Sequence, residues 1–170
     1  MEIREEQQYQ GQRVIVTTYL EKARINLHVD IGFGDVITPE AKRMHYPTIL
    51  DFPAPRVRVY PRETVVAEKL QAMVALGMFN SRMKDFYDIW IMSRQFSFHG
   101  TVLVEAVRAT FDSRNTPLPD EIPIALSNTF AENTDKITQW NAFVRKNRLE
   151  SHDISLAQVI AELRTFFGPF

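Results

Sequence analysis

Charged side chains in two short stretches of the sequence could do chemistry together. Lys69 lies in the first stretch, and Arg82, Lys84, Asp85 and Asp88 lie in the second. The apolar residues around them recur at helical spacing, so the sequence places these side chains on two neighbouring helices. A lysine among apolar neighbours provides a compact positive charge that suits a phosphate group. Two carboxylates could act as a general base or hold Mg²⁺ or Mn²⁺, which prefer oxygen ligands.

The same residues could instead have structural roles only. Lys69 could extend its ammonium group to solvent, or it could pair with Glu68 or Asp85. The two aspartates could equally hold Lys69 and Arg82 in an ion-pair network that joins the two helices. Residue types and spacing fit both interpretations.

Two helices are predicted to position these residues. Pro61 begins the first helix, which stops at Gly77. Ser81 is predicted to cap the second helix. Its buried stripe has the spacing i, i+3, i+4, i+7 and consists of Phe86, Ile89, Trp90 and Ser93. Asp85 and Asp88 lie three residues apart and therefore share a different face.

Two strands precede the helices. Residues 13–20 and 25–31 alternate in side-chain character, which predicts an antiparallel hairpin. The apolar side chains of the second strand point one way and its polar side chains, including Asp30, point the other way. Asp30 therefore lies on the polar face beside the glycine-containing loop 32–35. It is either a solvated surface residue or part of a site.

The order of the remaining segments indicates the fold class. A proline-rich, irregular connection over residues 36–55 leads to a third strand at Arg56–Tyr60. Helices are predicted at residues 101–113, from Thr134 onward with Ile137, Trp140 and Val144 inward, and at residues 156–167 after a Ser155 cap. Strands followed by helices predict an α+β fold. We expect an antiparallel or mixed sheet in residues 1–60 and a helical domain in residues 61–170.

Composition excludes several classes of function. The net charge of −1 over 170 residues provides no global basic field for nucleic acid, so such a contact would need a local cluster. The absence of cysteine excludes disulfides and zinc–thiolate sites, and it fits a reducing cytoplasm. No apolar run approaches 18 residues, so the sequence predicts no membrane span.

Three segments carry a family resemblance. Pro61–Lys69, Asn80–Trp90 and Val29–Asp35 resemble, in their order and spacing, the AbiEii/AbiGii nucleotidyltransferase toxin family. The resemblance implies a DNA polymerase β-type nucleotidyltransferase fold with a helical C-terminal part. The strands before residue 60 would then be part of a nucleotidyltransferase-like sheet. It also implies a toxin of a type IV abortive-infection system with a separate antitoxin.

The resemblance further implies roles for six residues. Asp30 matches the third carboxylate of the catalytic cluster, which binds Mg²⁺, and Lys69 matches the lysine near the triphosphate. Arg82 and Lys84 match anion-binding residues, and Asp85 or Asp88 matches the base for an attacking hydroxyl. Carboxylates, metal and cations together would stabilise charge on phosphate during an in-line displacement of a nucleotide from an NTP.

One departure from the family pattern concerns the metal site. The family begins with a Gly-Gly or Gly-Ser motif and an Asp-x-Asp pair, and the 170 residues contain none of these. The chain therefore resembles the C-terminal two-thirds of such a protein, and we expect it to be inactive, or nearly so, alone. The alternative is a non-catalytic binding module that binds an antitoxin or another copy of itself. An exposed sheet edge would favour dimerisation.

The acceptor of the nucleotide stays open at this stage, with RNA, another nucleic acid or a protein side chain as candidates. The basic cluster Arg145–Arg148 could touch RNA phosphates, although a solvated helix end explains it as well. Four aromatic residues could stack on bases, although their helical spacing favours a place in the core. They are Phe79, Phe86, Tyr87 and Trp90.

Overall fold

The computed structural model describes residues 11–149 and 154–168 and shows a mixed fold of short antiparallel sheets and helices. The strands are β1 (Gly11–Leu20), β2 (Ala23–Gly32), β3 (Lys42–His45) and β4 (Arg56–Val59). The helices are α1 (Arg62–Leu76), α2 (Met83–Gln95), α3 (Gly100–Ser113), α4 (Asn128–Ala131), α5 (Thr134–Lys146) and α6 (Leu156–Phe167). Two 3₁₀ turns lie at Gly77–Phe79 and Ile124–Leu126. The α+β class predicted from the order of elements is confirmed.

The chain divides into two compact units, Met1–Val36 and Ile37–Phe170. In the first unit β1 and β2 pair antiparallel, with Val14 opposite Val29 and Val16 opposite Leu27. Residues directly opposite in an antiparallel pair share a face, so these four form an apolar face of the hairpin. All four side chains are exposed. The predicted hairpin and its division into an apolar and a polar face are confirmed.

The second unit begins with a two-stranded ribbon. β3 and β4 pair antiparallel, with Arg43 opposite Arg58 and His45 opposite Arg56. The sequence predicted β4 but not β3, which lies in the segment that we expected to be irregular. β3 has only four residues, and its pattern is hidden because prolines lie at positions 39 and 47.

Helices α1 to α6 enclose the core of the second unit. The fully buried large side chains include Phe86, Phe111, Phe130 and Trp140. Phe86 stacks on Phe130 with ring centroids 5.3 Å apart. Interlocking aromatic and aliphatic side chains provide most of the driving force for folding such a unit. Among the residues described, no helix is long and apolar enough to cross a membrane.

Helix starts differ in detail from the predictions. Ser155 caps α6 as expected, in a capping box with Gln158. The α2 helix begins at Met83, and no side-chain hydrogen bond from Ser81 caps it in the described structure, so that prediction is wrong. Asn133, rather than Thr134, caps α5 by accepting hydrogen bonds from the next two backbone N–H groups along that helix.

Within α5, the inward face also differs from the prediction. Trp140 is buried as expected, but Ile137 is exposed and Lys136 is buried in its place. The Lys136 ammonium lies 5.3 Å from the centre of the Phe130 ring, a favourable cation–π distance. A hydropathy pattern assigns lysine to the surface. The pattern therefore predicted Ile137, rather than Lys136, as the inward residue of this turn.

Candidate functional site

The centre of the site is Lys69, which lies between two carboxylates. Its Nζ donates to Asp85 Oδ1 at 2.5 Å and to Asp88 Oδ2 at 2.9 Å. Lys69 is on α1 and both aspartates are on α2, so the contacts join the two helices. The side chains of Lys69, Asp85 and Asp88 are 18%, 15% and 24% exposed. The ion-pair network considered from the sequence is therefore present for Lys69, whereas among the described residues Arg82 forms no ion pair with either aspartate.

Local sequence explains why these three residues meet. Asp85 and Asp88 lie three residues apart on α2, so both carboxylates face the same side of that helix. Phe86, Ile89 and Trp90 turn the opposite side into the core. On α1, Val66 and Leu70 are buried on either side of Lys69 along the chain and fix the helix against its neighbours. The packing thus directs the lysine and the two aspartates toward each other.

The electrostatics keep Lys69 positively charged. Burial alone would lower the pKa of Lys69, because it disfavours an ammonium ion. The hydrogen bonds and charges of Asp85 and Asp88 outweigh burial, so the pKa of Lys69 is raised from its usual value. Lys69 is therefore a fixed cation at neutral pH and not a proton acceptor.

Hydrogen-bond geometry leaves Lys69 one donor. A protonated lysine has three N–H groups, and Asp85 and Asp88 use two of them. The side chain is 18% exposed. A lysine with one N–H left over can donate a hydrogen bond to an anionic oxygen and keep its contacts with both carboxylates.

Lys84 and Arg82 extend the positive charge at the start of α2. Lys84 Nζ donates to Asp88 Oδ2 at 2.5 Å, and its side chain is 71% exposed. Arg82 is the exposed residue immediately before α2, and the first turns of a helix favour anions. The structure thus brings Lys69, Lys84, Asp85 and Asp88 into direct contact and places Arg82 beside them in sequence.

Asn80 and Lys136 position the start of α2. Neither role was predicted from the sequence. Buried Asn80 accepts a hydrogen bond from the Arg82 backbone N–H through Oδ1 at 2.8 Å. The buried Lys136 ammonium donates to the Asn80 backbone oxygen at 2.9 Å. An asparagine shortly before a helix is a usable signal for the first contact, but no sequence pattern indicates the second.

A second polar cluster holds α1 against the end of α3. Arg114 donates to Gln71 Oε1 at 2.8 Å, and its guanidinium lies 3.8 Å from Glu68 Oε1. Gln71 in turn donates to Thr116 Oγ1 at 2.8 Å. Glu68, one of the partners that the sequence suggested for Lys69, forms an ion pair with Arg114. This cluster fixes the face of α1 next to Lys69.

Asp30, the predicted third carboxylate, lies in the other unit, on the polar face of the hairpin. Arg13 is directly opposite it and donates two hydrogen bonds, at 2.5 and 2.8 Å. The hydrogen bonds from Arg13 lower the pKa of the Asp30 carboxyl. Asp30 is therefore an exposed, ionised carboxylate, as a metal ligand must be.

The carboxylates fit a divalent metal site only in part. Within residues 11–149 and 154–168, no three His, Asp or Glu side chains are close enough together to hold a metal ion. Asp85 and Asp88 are engaged by ammonium groups and Asp30 by the Arg13 guanidinium, and these cations compete with a metal ion. Asp30 could supply one ligand of a Mg²⁺ site only if Arg13 released one of the two Asp30 carboxylate oxygens. One carboxylate does not provide a two-metal set.

The predicted aromatic positions divide into two groups. Phe86 and Trp90 are buried, and Tyr87 packs against Phe143 with ring centroids 5.7 Å apart, so a place in the core is confirmed for these three. Phe79 is 91% exposed, and for this residue the expected core position is wrong. It lies at the end of the 3₁₀ turn after α1, where its ring is free to contact a ligand.

Comparison with known proteins identifies the family. The family model described as "Nucleotidyl transferase AbiEii toxin, Type IV TA system" matches residues 1–163. No curated protein and no solved structure gave a match. The matched range extends into both units and includes every residue of the candidate site. The chain belongs to the AbiEii family of nucleotidyltransferase toxins of type IV toxin–antitoxin systems.

Proposed function

We propose that Lys69 binds the phosphates of an NTP and that the surface around it is the nucleotide site of this toxin. The observation that carries the proposal is the partly buried ammonium group held by Asp85 and Asp88, which use two of its three N–H groups. The two carboxylates fix the position of the lysine before the ligand arrives, which lowers the entropic cost of binding. Arg82 and Lys84 add positive charge at the exposed start of α2.

Asp85 and Asp88 have different contacts, and this assigns them different roles. Asp88 Oδ2 accepts from both Lys69 and Lys84, whereas the Asp85 side chain accepts, among the described residues, from Lys69 alone. Asp85 thus has more unused acceptor positions. Asp85 is the better candidate for accepting the proton of an attacking hydroxyl, and Asp88 holds the two lysines in place.

Mg²⁺ enters this proposal together with the NTP. When bound, it would neutralise phosphate charge, and Asp30 is the residue of this chain that resembles a family metal ligand. Phe79 is the exposed aromatic ring nearest in sequence to Arg82, and it is the candidate for stacking on the base. The attacking hydroxyl belongs to an acceptor, for which RNA is one candidate class.

Calorimetric titration of the purified chain with each NTP in Mg²⁺ tests the site. We expect binding that Lys69→Ala abolishes, because the mutation removes the fixed cation. Lys146→Ala is the matched control, since Lys146 is an exposed lysine at the end of α5. Absence of binding at millimolar NTP, or equal binding by the Lys69→Ala variant, contradicts the proposal. Far-UV circular dichroism of each variant checks that it is folded.

Catalysis is a separate question from binding. The 170 residues contain no Asp-x-Asp pair, and in the resembling family this pair supplies the first two metal carboxylates. We therefore expect the chain alone to bind an NTP without transferring it. Incubation with radiolabelled NTPs, Mg²⁺ and total RNA measures transfer. Sustained Mg²⁺-dependent labelling would show that this expectation is wrong.

A second candidate function is a binding module without catalysis. The observation that favours it is the exposed apolar face of the β1–β2 hairpin, which includes Val14, Val16, Leu27 and Val29. Exposed apolar faces of this kind commonly mark protein contacts. Its partner would be the antitoxin or a second copy of the chain. Failure to bind any NTP combined with stable complex formation would favour this function.

A further inference from the structure

The β3–β4 ribbon has one basic face that the proposed nucleotide site does not use. Side chains alternate between the faces of a strand, and opposite residues share a face. The pairing of Arg43 with Arg58 and of His45 with Arg56 therefore puts all four side chains on one side of the ribbon. All four are exposed. The other side carries Val57 and Val59, which are partly buried.

No acidic side chain among residues 11–149 and 154–168 forms a salt bridge with this face. In the described parts of the chain, Arg43, Arg56 and Arg58 have no salt-bridge partner. Asp51 is the one acidic residue between positions 42 and 59, and it lies in the loop. Like charges directly opposite on two strands destabilise a ribbon. The opposed positive charges therefore destabilise the free ribbon, and a bound polyanion would relieve their repulsion.

The loop at the end of the ribbon adds apolar and aromatic surface. It connects β3 to β4 and forms an open pocket of about 580 Å³. The lining residues are Tyr46, Pro47, Thr48, Ile49, Leu50 and Phe52. Tyr46 and Phe52 are exposed aromatic rings, and the Tyr46 N–H donates to the Pro55 oxygen, which joins the loop to the ribbon. Phosphate-binding and ring-stacking groups thus occur in one continuous segment.

We propose that the β3–β4 ribbon and its loop bind single-stranded nucleic acid. The arginines contact the phosphates, because the guanidinium group binds phosphate in a bidentate manner and is only weakly hydrated. The rings of Tyr46 and Phe52 stack on unpaired bases, a contact that a duplex does not offer. This inference goes beyond the proposed function, since it requires neither Lys69 nor an NTP.

An anionic membrane is the competing partner for a basic face with an apolar tip. The residue types favour nucleic acid, because the face is formed by arginines and a histidine and the pocket contains two aromatic rings. Arginine and aromatic side chains together recognise phosphates and bases. Vesicle binding is therefore an outcome of the test rather than part of the proposal.

Fluorescence anisotropy with labelled single-stranded RNA of roughly 12 nucleotides, within the usual site sizes, tests the inference. The full chain is titrated in EDTA without NTP, so the result does not depend on the nucleotide site. The variant R43Q/R56Q/R58Q removes the basic face. K22Q/R24Q/R108Q is the matched control, because it removes three exposed positive charges outside the ribbon.

The two triple variants should behave differently. We expect R43Q/R56Q/R58Q to lose affinity at least about tenfold and to flatten the dependence of log K on log salt by about 0.7 per lost phosphate contact. The control should bind like the wild type. Phe52→Ser should lose at least about fivefold for single strands with an unchanged salt slope. All of these residues are exposed, and thermal melts confirm that the variants are folded.

Several results would overturn the inference. They are no RNA binding by the wild type at low salt, equal losses in both triple variants, or equal affinity for duplex and single strand. Binding to phosphatidylserine vesicles with no binding to RNA would assign the ribbon to a membrane surface instead.

Discussion

The contacts of Lys69 show how one residue can serve both stability and binding. Its ammonium group joins α1 to α2 through Asp85 and Asp88, which use two of its three N–H groups. Without Lys69, two partly buried carboxylates would remain close together without their shared cation. A pair left uncompensated in this way costs more than a surface pair. The residue is therefore expected to matter even in the absence of ligand.

Substitution of Lys69 measures that contribution. We expect Lys69→Met to lower the free energy of unfolding by about 1–3 kcal/mol, between the values for exposed and buried pairs. Lys84→Met is the control, because Lys84 contacts the same Asp88 but is largely exposed. Its cost should stay within about 0.5 kcal/mol, as for surface i, i+4 pairs. Urea unfolding measures the free energy of unfolding of both variants. Equal decreases would show that the ion pairs of Lys69 contribute no more than a surface pair.

The pH dependence of this contribution has a definite sign. The pKa of Lys69 is raised in the folded chain, so the protonated lysine stabilises the fold. Its contribution is fully present below the unfolded pKa of about 10.4 and is lost as the pH rises through the folded pKa. The difference in stability between wild type and Lys69→Met should thus be constant from neutral pH to about 9.5 and shrink at higher pH. A difference that grows above that range would contradict the assignment.

At this scale, the sequence predicted part of the site. Helical spacing alone placed Asp85 and Asp88 on one face, and the pairing of Lys69 with Asp85 was one of the open alternatives. The contact between Lys136 and the Asn80 backbone oxygen was not predictable, because it joins residues 56 positions apart. Such contacts depend on how the helices pack against one another, and the spacing of residue types within one segment does not reveal this packing.

At the scale of elements, the start of α2 depends on Asn80. Its Oδ1 accepts from the Arg82 backbone N–H, and its backbone oxygen is held by Lys136. We expect Asn80→Ala to lower the free energy of unfolding by about 1–2 kcal/mol, because the hydrogen bond that Oδ1 accepts from the Arg82 backbone N–H is lost. Ser81→Ala is the matched control and should change it by less than about 0.5 kcal/mol. Ser81 is exposed, and it makes no capping hydrogen bond in the described structure.

Denaturant titrations of the two alanine variants separate these effects. A larger cost for Ser81→Ala would show that the cap predicted from the sequence forms in solution. If the Asn80→Ala variant also loses NTP affinity while Ser81→Ala does not, the loss is explained by movement of Arg82, Lys84 and Asp85.

Elements with a long periodic pattern of apolar residues were predicted correctly, whereas the four-residue strand β3 was missed. The hairpin and α1 follow from alternation and from helical spacing over ten or more residues. β3 is four residues long, and its pairing with β4 is needed to define it. In α5, Lys136 is buried because its ammonium finds a carbonyl oxygen and the Phe130 ring, an arrangement that hydropathy cannot represent.

For the whole molecule, the two units differ in how they are stabilised. The described residues of the second unit surround a core with many fully buried side chains. In the first unit, the strands of the hairpin have no fully buried side chain among their described residues. Two-stranded hairpins are marginally stable alone, so contacts on the apolar face would stabilise this one. The order of elements predicted the α+β class, but the boundary expected near residue 60 stays a prediction.

Self-association through the hairpin is the prediction that belongs to this scale. Burial of the face formed by Val14, Val16, Leu27 and Val29 would remove apolar area from water. The outer strand edges, which pair with no other strand among the described residues, add hydrogen-bonding groups. We expect light scattering to show a mass that rises toward that of a dimer with increasing concentration. Val16→Thr/Leu27→Thr should keep the chain monomeric, because it makes that face polar.

Ile15→Thr is the control, since Ile15 is equally exposed on the opposite face and its loss should leave the dimer intact. A monomeric mass for the wild type at high concentration would show that the face does not bind a second copy, and the antitoxin would then be the partner to test.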